Sequence, residues 1–220
     1  MKLSAMNSTF NDNPYLRESH NCYSYFLNLK DPSAIELCRK TYSKRNICRR
    51  SQPGYASHYP ALQTADFNCP TIMKRTLADN PNIVKTSKEA QCGPTHYKGA
   101  VVVAPGRDYH YYRLNDENVW THKPGYKPST YLDAKNKIIR DPEIASRDYG
   151  DTLHYKDFCG FVCVPKDPSK KRMRMYNDTN NTAPLRRIKK SLTSTVKKIV
   201  RNRNSTNKNR NRKLNVNNSN

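Results

Sequence analysis

No stretch of this chain holds 18 consecutive apolar residues, so the sequence offers no segment of the kind that crosses a bilayer as a helix. The opening, MKLSAMNSTFNDN, lacks the apolar core of a secretory signal, and the expectation is a chain not exported by a signal peptide. Paired metal-binding spacings are missing too. Cys159 and Cys163 form one C-x3-C with no matching second pair, and structural zinc calls for two such pairs. Neither a metal nor a cofactor is expected. Cysteine is present in an odd number, seven. Without an export signal the thiols are expected to be reduced; if they oxidise, three bridges leave one thiol over.

Acid is nearly absent from one end. From Ser169 to Asn220 there are 16 Lys or Arg and a single acid, Asp178, so +15 of the total +22 falls on these 52 residues. Such a block has too little apolar surface to offset its ordering entropy, and its charges repel, so a disordered tail is expected. Within it Leu185, Ile188, Leu192, Val196 and Ile199 follow Pro184 at helical spacing. They predict a short amphipathic helix flanked by Arg186, Arg187, Lys189, Lys190, Lys197 and Lys198, with Arg201 and Arg203 beyond it. The segment RNRNSTNKNRNRK has no aromatics. Base stacking is therefore not expected, and phosphate contact without sequence preference is favoured. Docking on the domain, anionic lipid and a merely solvated tail are the competing readings.

The remainder reads as a polar leader over residues 1–18 and an α+β domain over 19–168. Asn21 is placed to cap a helix bearing Tyr25, Phe26 and Leu29, and Asp31-Pro32 has the form of a second helix start. Residues 50–96 are punctuated by Gln52-Pro53-Gly54, Asn68-Cys69-Pro70, Asn80-Pro81-Asn82 and Gly93-Pro94, and read as loop-rich. Ala100–Ala104 is a buried strand; Tyr109–Leu114 and Val119–His122 complete a three-stranded antiparallel meander, and Phe158–Val164 is a fourth strand.

The chemistry centres on Cys22, in the first turn of a helix, where free backbone N–H groups and the helix dipole favour a thiolate. A buried structural cysteine is the plainer reading. His110 and His122 lie on strands of one hairpin. They share a face if an odd number of residues separates the paired strand ends. A three-residue loop, Asn115–Glu117, pairs His110 with His122 and Tyr112 with Trp120 on that face. Asp108 is a second candidate for orienting His110. Tyr109, Tyr111 and Arg113 either extend a basic surface or pack on a helix. His20, His58, His96 and His154 read as surface or packing residues.

A helix-borne cysteine, then a histidine on a central strand, then a polar residue on the next strand resembles the bacterial cell-wall cysteine peptidases and amidases of papain-like fold. The strings N-C-Y-S-Y, A-P-G-R-D-Y-H-Y-Y-R, W-T-H-K-P-G and D-F-C-G-F-V-C-V-P resemble those of a family of proteins of giant DNA viruses and some bacteria, over Asn21 to Pro165. The resemblance implies a papain-like meander with an N-terminal helix. Cys22 is then the nucleophile, His110 its base, His122 the group that orients His110, and the first-turn N–H groups the oxyanion site. The chain departs from the cell-wall enzymes in having no Asp or Gly-rich string around the cysteine, which bears on the substrate. The implied function is hydrolysis of amide bonds in peptide or peptidoglycan by a domain tethered to nucleic acid or another polyanion. The alternative is a non-enzymatic basic virion or packaging protein. A virion or the host cytoplasm is the implied location.

Overall fold

The apolar run at Ala100–Ala104 lies at the centre of a five-stranded antiparallel sheet, ordered β1-β5-β2-β3-β4. The strands are β1 (Val84–Thr86), β2 (His96–Ala104), β3 (Asp108–Leu114), β4 (Trp120–Thr121) and β5 (Asp157–Pro165). The structure, a computed structural model, describes residues 8–45, 48 and 50–175. The continuous run on β2 arises because both faces of the sheet are covered. Val101 and Val103 pack into one core, while Ala100, Val102 and Ala104 pack into another.

Among the described residues four α-helices precede the sheet: α1 (Pro14–Ser19), α2 (Cys22–Leu27), α3 (Pro32–Arg45) and α4 (Cys69–Asp79). The fold is thus α+β, as expected. Asn21 caps α2, its side-chain oxygen accepting from the Tyr23 and Ser24 amides at 3.2 and 3.3 Å. Tyr23, Phe26 and Leu27 then face the sheet. The helix comes so close that a Cβ on Gly99 would meet Phe26 at 2.4 Å, so only glycine fits beneath that ring. Tyr111 rises between Phe26 and Tyr23, with ring centroids 4.6 and 5.3 Å away, and its hydroxyl meets Thr76 of α4 at 2.6 Å. Tyr109 and Tyr111 are therefore core residues under the helices, not part of a basic surface.

Several expectations need correction. Residues 50–96 are not simply loop. Asn68-Cys69-Pro70, read as punctuation, starts α4: Asn68 accepts from the Thr71 amide at 2.9 Å, and Pro70 occupies the first turn, where its missing N–H costs nothing. The polar leader belongs to the fold from residue 8 onward, because Phe10 is buried against Tyr25 and the Asn11 side chain accepts from the Ser129 amide. At the other end, residues 169–175 were expected to begin the tail. Instead Lys171 is buried, the Arg172 amide donates to Asn80, and Met175 bridges Ser51. The rest of the tail, with its basic residues Arg186, Arg187, Lys189, Lys190, Lys197, Lys198, Arg201 and Arg203 and the helix at Leu185–Ile199, lies outside the described residues.

The β3–β4 connection is longer than expected. The register pairs Leu114 with Trp120 and Arg113 with Thr121, so the loop is Asn115–Val119 and not Asn115–Glu117. The Asn115 side chain accepts from the Glu117 and Val119 amides, and Asn118 takes a left-handed conformation at φ 54°. Asparagine tolerates that region better than most residues, which lets the longer turn close.

The thiols are not all reduced. Disulfides join Cys38 to Cys48, Cys69 to Cys159 and Cys92 to Cys163, and Cys22 is the thiol left over. The C-x3-C pair is therefore split between two bridges. Cys159 sits at a β-bulge, where Val101 faces Gly160 and Val102 faces Phe158, leaving Cys159 without a partner on β2. The bulge frees its side chain to reach the first residue of α4.

Candidate functional site

Five residues in the Asn115–Val119 loop is still an odd number, so the face predicted for His110 and His122 survives the change of register. The two rings meet, His110 Nε2 lying 2.7 Å from His122 Nδ1. Tyr112 and Tyr155 lie against His110, with ring centroids 5.2 and 5.3 Å away. Both histidines are buried.

One contact fixes the protonation of the pair. His122 Nε2 lies 2.9 Å from the Leu132 carbonyl, which can only accept, so Nε2 carries the proton. Burial holds His122 near pKa 4 and, together with the neighbouring His122, pushes His110 well below the ordinary histidine range. A neutral His122 therefore offers Nδ1 as an acceptor, and His110 donates to it from Nε2. The lone pair of His110 is left on Nδ1. Asp108, the other candidate orienter, is engaged elsewhere: it accepts from the Tyr155 hydroxyl at 2.7 Å and from the Tyr109 amide at 2.8 Å.

Cys22 lies at the first turn of α2 with its sulfur 3.8 Å from the Tyr109 carbonyl. β4 pairs only with Arg113 and Leu114, so among the described residues the β3 backbone from Asp108 to Tyr112 pairs with β2 on one side and has no strand on the other. Cys22 belongs to the core on the helix face with Tyr109 and Tyr111, whereas His110 packs with Tyr112 and Tyr155 on the opposite face. Both nevertheless line one cleft of about 480 Å³, together with Asn21, Gln52, Asp108 and Tyr155.

The thiolate expected from the helix position does not follow from this environment. Burial, then the Asp108 carboxylate, push the Cys22 thiol up, against the opposing pull of the Tyr111 and Tyr23 backbone amides and of Lys123. Desolvation outweighs the first-turn dipole. The resting pair is a neutral thiol and a neutral imidazole.

Two residues near the site carried no signal in the sequence. Lys123, next to His122, is fully buried with Nζ 2.6 Å from both the Arg17 and Gly125 carbonyls, and desolvation lowers it to about pKa 7. Tyr155 comes from the stretch before β5 and closes over His110. Neither stands at a spacing that periodicity could flag.

No protein-family model matches the chain, and no solved structure does. Over 65 residues it is 40% identical to insoluble matrix shell protein 1 of Ruditapes philippinarum. That stretch makes up 30% of this chain and 40% of the shell protein.

Proposed function

We propose that the domain is a cysteine hydrolase of amide bonds, papain-like in the order and roles of its groups, held on a polyanion by its basic tail. The observation that carries this reading is the relay from the Leu132 carbonyl through His122 to His110, which leaves a basic nitrogen on a residue sharing a cleft with Cys22. That is the nucleophile, base and orienter arrangement of covalent acyl transfer. In the reaction the Cys22 thiol gives its proton to His110 as sulfur bonds to the carbonyl carbon. His110 then passes the proton to the departing amine as the C–N bond breaks. Water, deprotonated by His110, adds to the thioester carbonyl, and as the C–S bond breaks His110 returns that proton to the Cys22 sulfur, releasing the acid. Asn21 already occupies the Tyr23 and Ser24 amides, so of the first-turn donors the Cys22 amide is the one assigned to the oxyanion. Because both partners rest neutral, proton transfer accompanies attack and does not precede it.

The burial of Cys22 favours a second reading, a non-enzymatic, disulfide-stapled particle or matrix protein. The partial likeness to a shell matrix protein is consistent with that reading. Under either reading three bridges fit an oxidising setting, such as a particle or an extracellular matrix, better than a reduced cytoplasm.

A peptidyl acyloxymethyl ketone followed by mass spectrometry separates the two. On the hydrolase reading Cys22 is labelled near neutral pH, Cys22→Ala is not labelled, and His110→Gln slows labelling by roughly a hundredfold or more. Labelling no faster than in the unfolded chain, or indifferent to His110→Gln, removes the hydrolase reading and leaves the non-enzymatic one.

A further inference from the structure

The cleft contains one carboxyl group that nothing cationic matches. Arg50 also lines it, but Arg50 is held by Glu18, Nε donating to the Glu18 carbonyl at 2.8 Å and Nη2 reaching its carboxylate at 3.3 Å. Lys123 is satisfied by the two carbonyls it bonds. Asp108 is different. Its partners are the Tyr155 hydroxyl and its own neighbour's amide, and among the described residues no lysine or arginine pairs with it. Asp108 is half-buried, and desolvation raises it above the usual carboxylate range, so a carboxylate here with hydrogen-bond donors but no counter-charge carries a cost in a chain of 40 basic residues. The cost is recovered if a bound molecule supplies the cation.

Resting on the hydrolase reading, we infer that Asp108, held by Tyr155, is a specificity-determining site for a cationic group of the substrate, an ammonium borne close to the amide that Cys22 attacks. The placement follows from the chain. Asp108 is two residues before His110 on β3, Tyr155 touches the His110 ring, and Asp108, Tyr155, His110 and Cys22 line the same cleft. An ammonium brings three donors to a carboxylate that still has acceptor capacity after Tyr155 and the Tyr109 amide are counted. It also removes an interaction that opposes catalysis, because the bare Asp108 charge disfavours the Cys22 thiolate. A substrate that neutralises Asp108 thus eases the deprotonation of its own nucleophile, and an uncharged or anionic amide does not.

The test uses the full chain as Cys22→Ser, so that binding is read without chemistry. L-alaninamide, which carries an ammonium near neutral pH, and N-acetyl-L-alaninamide, which does not, are titrated while the His110 resonances are followed by NMR. The cation is expected to bind at least about tenfold more tightly, a difference within reach of one close charge pair. Adding Asp108→Asn, which removes the charge and keeps one of the two acceptor oxygens that Asp108 presents to Tyr155 and the Tyr109 amide, should erase the preference while the chain still unfolds in one cooperative transition. Equal binding of the two probes, no binding of either, or a preference that persists in Asp108→Asn overturns the inference. The hydrolase reading is judged separately: a cation preference that Asp108→Asn abolishes, with wild-type Cys22 inert to the acyloxymethyl ketone, would uphold the site and remove the reaction.

Discussion

His122 donates to the Leu132 carbonyl from Nε2 and accepts from His110 at Nδ1, so one backbone carbonyl sets the tautomer of an imidazole two hydrogen bonds away. The direction of both bonds follows from chemistry, since a carbonyl has no proton to give.

Long-range nitrogen–proton NMR of labelled histidine should therefore find both rings neutral near pH 7 and protonated at Nε2. His122→Ala removes the acceptor, and His110 should then lose its single tautomer. If His110 is the base, labelling of Cys22 should fall by about ten- to a hundredfold in that variant, less than in His110→Gln. An imidazolium signal from either ring at neutral pH contradicts the neutral pair.

The same burial makes stability depend on acid. His122 is lowered from about 6.5 to about 4 in the fold, so between these values the unfolded chain binds the proton that the folded chain refuses. Stability is complete above about pH 6.5 and declines as pH falls toward about 4. His122 alone accounts for up to about 3 kcal/mol. His20, buried and likewise lowered to about 4, adds in the same direction. Urea midpoints measured across this range should fall with acid, and His122→Asn should flatten the slope. A midpoint unchanged over the range would show that these rings are hydrated.

The parts legible in the sequence were those set by local rules. Asn21 announced α2 because a side-chain oxygen two residues before an amide is a cap whatever surrounds it. The shared face of His110 and His122 rested on parity, and parity survived a loop two residues longer than expected. The same capping rule would have found α4 from Asn68 and Pro70 had the proline not been taken as a breaker. The disulfides were not legible, because Cys159 reaches Cys69 only through a bulge set by pairing across the sheet. Nor were Tyr155 and Leu132, which enter the site through irregular segments where no periodicity constrains them.

The bridges should contribute unequally. In the chain-entropy model a cross-link stabilises more when it closes a longer loop. Cys69–Cys159 spans 90 residues and Cys38–Cys48 spans 10. Replacing the first pair by serine should cost about 4–5 kcal/mol, and replacing the second roughly 3 kcal/mol or less. The first loss is a large share of a small domain's stability, so thermal unfolding should show Cys69→Ser/Cys159→Ser melting well below Cys38→Ser/Cys48→Ser. The reverse order would locate the contribution in local contacts and not in loop closure.

The basic tail carries the last prediction. Residues 169–175 lie against the domain, so the cut that separates the two parts falls after Met175 and not earlier. Beyond it stand 12 Lys or Arg and one acid, Asp178. Cations at this density gather phosphate polyanions, and each neutralised phosphate releases condensed counterions, giving a slope of about −0.9 in log affinity against log salt per contact. If about six to eight of these charges engage DNA, raising salt from about 50 to 200 mM should weaken binding by roughly three to four decades. Natural and scrambled duplexes should bind alike, because the segment offers no aromatic ring to stack on a base after Tyr176. The chain ending at Met175 should lose nearly all of this affinity while keeping its melting temperature and whatever reactivity Cys22 has. A truncated chain that binds as tightly as the whole one would move the polyanion site onto the folded domain, and a full chain with a flat salt response would remove the electrostatic tether altogether.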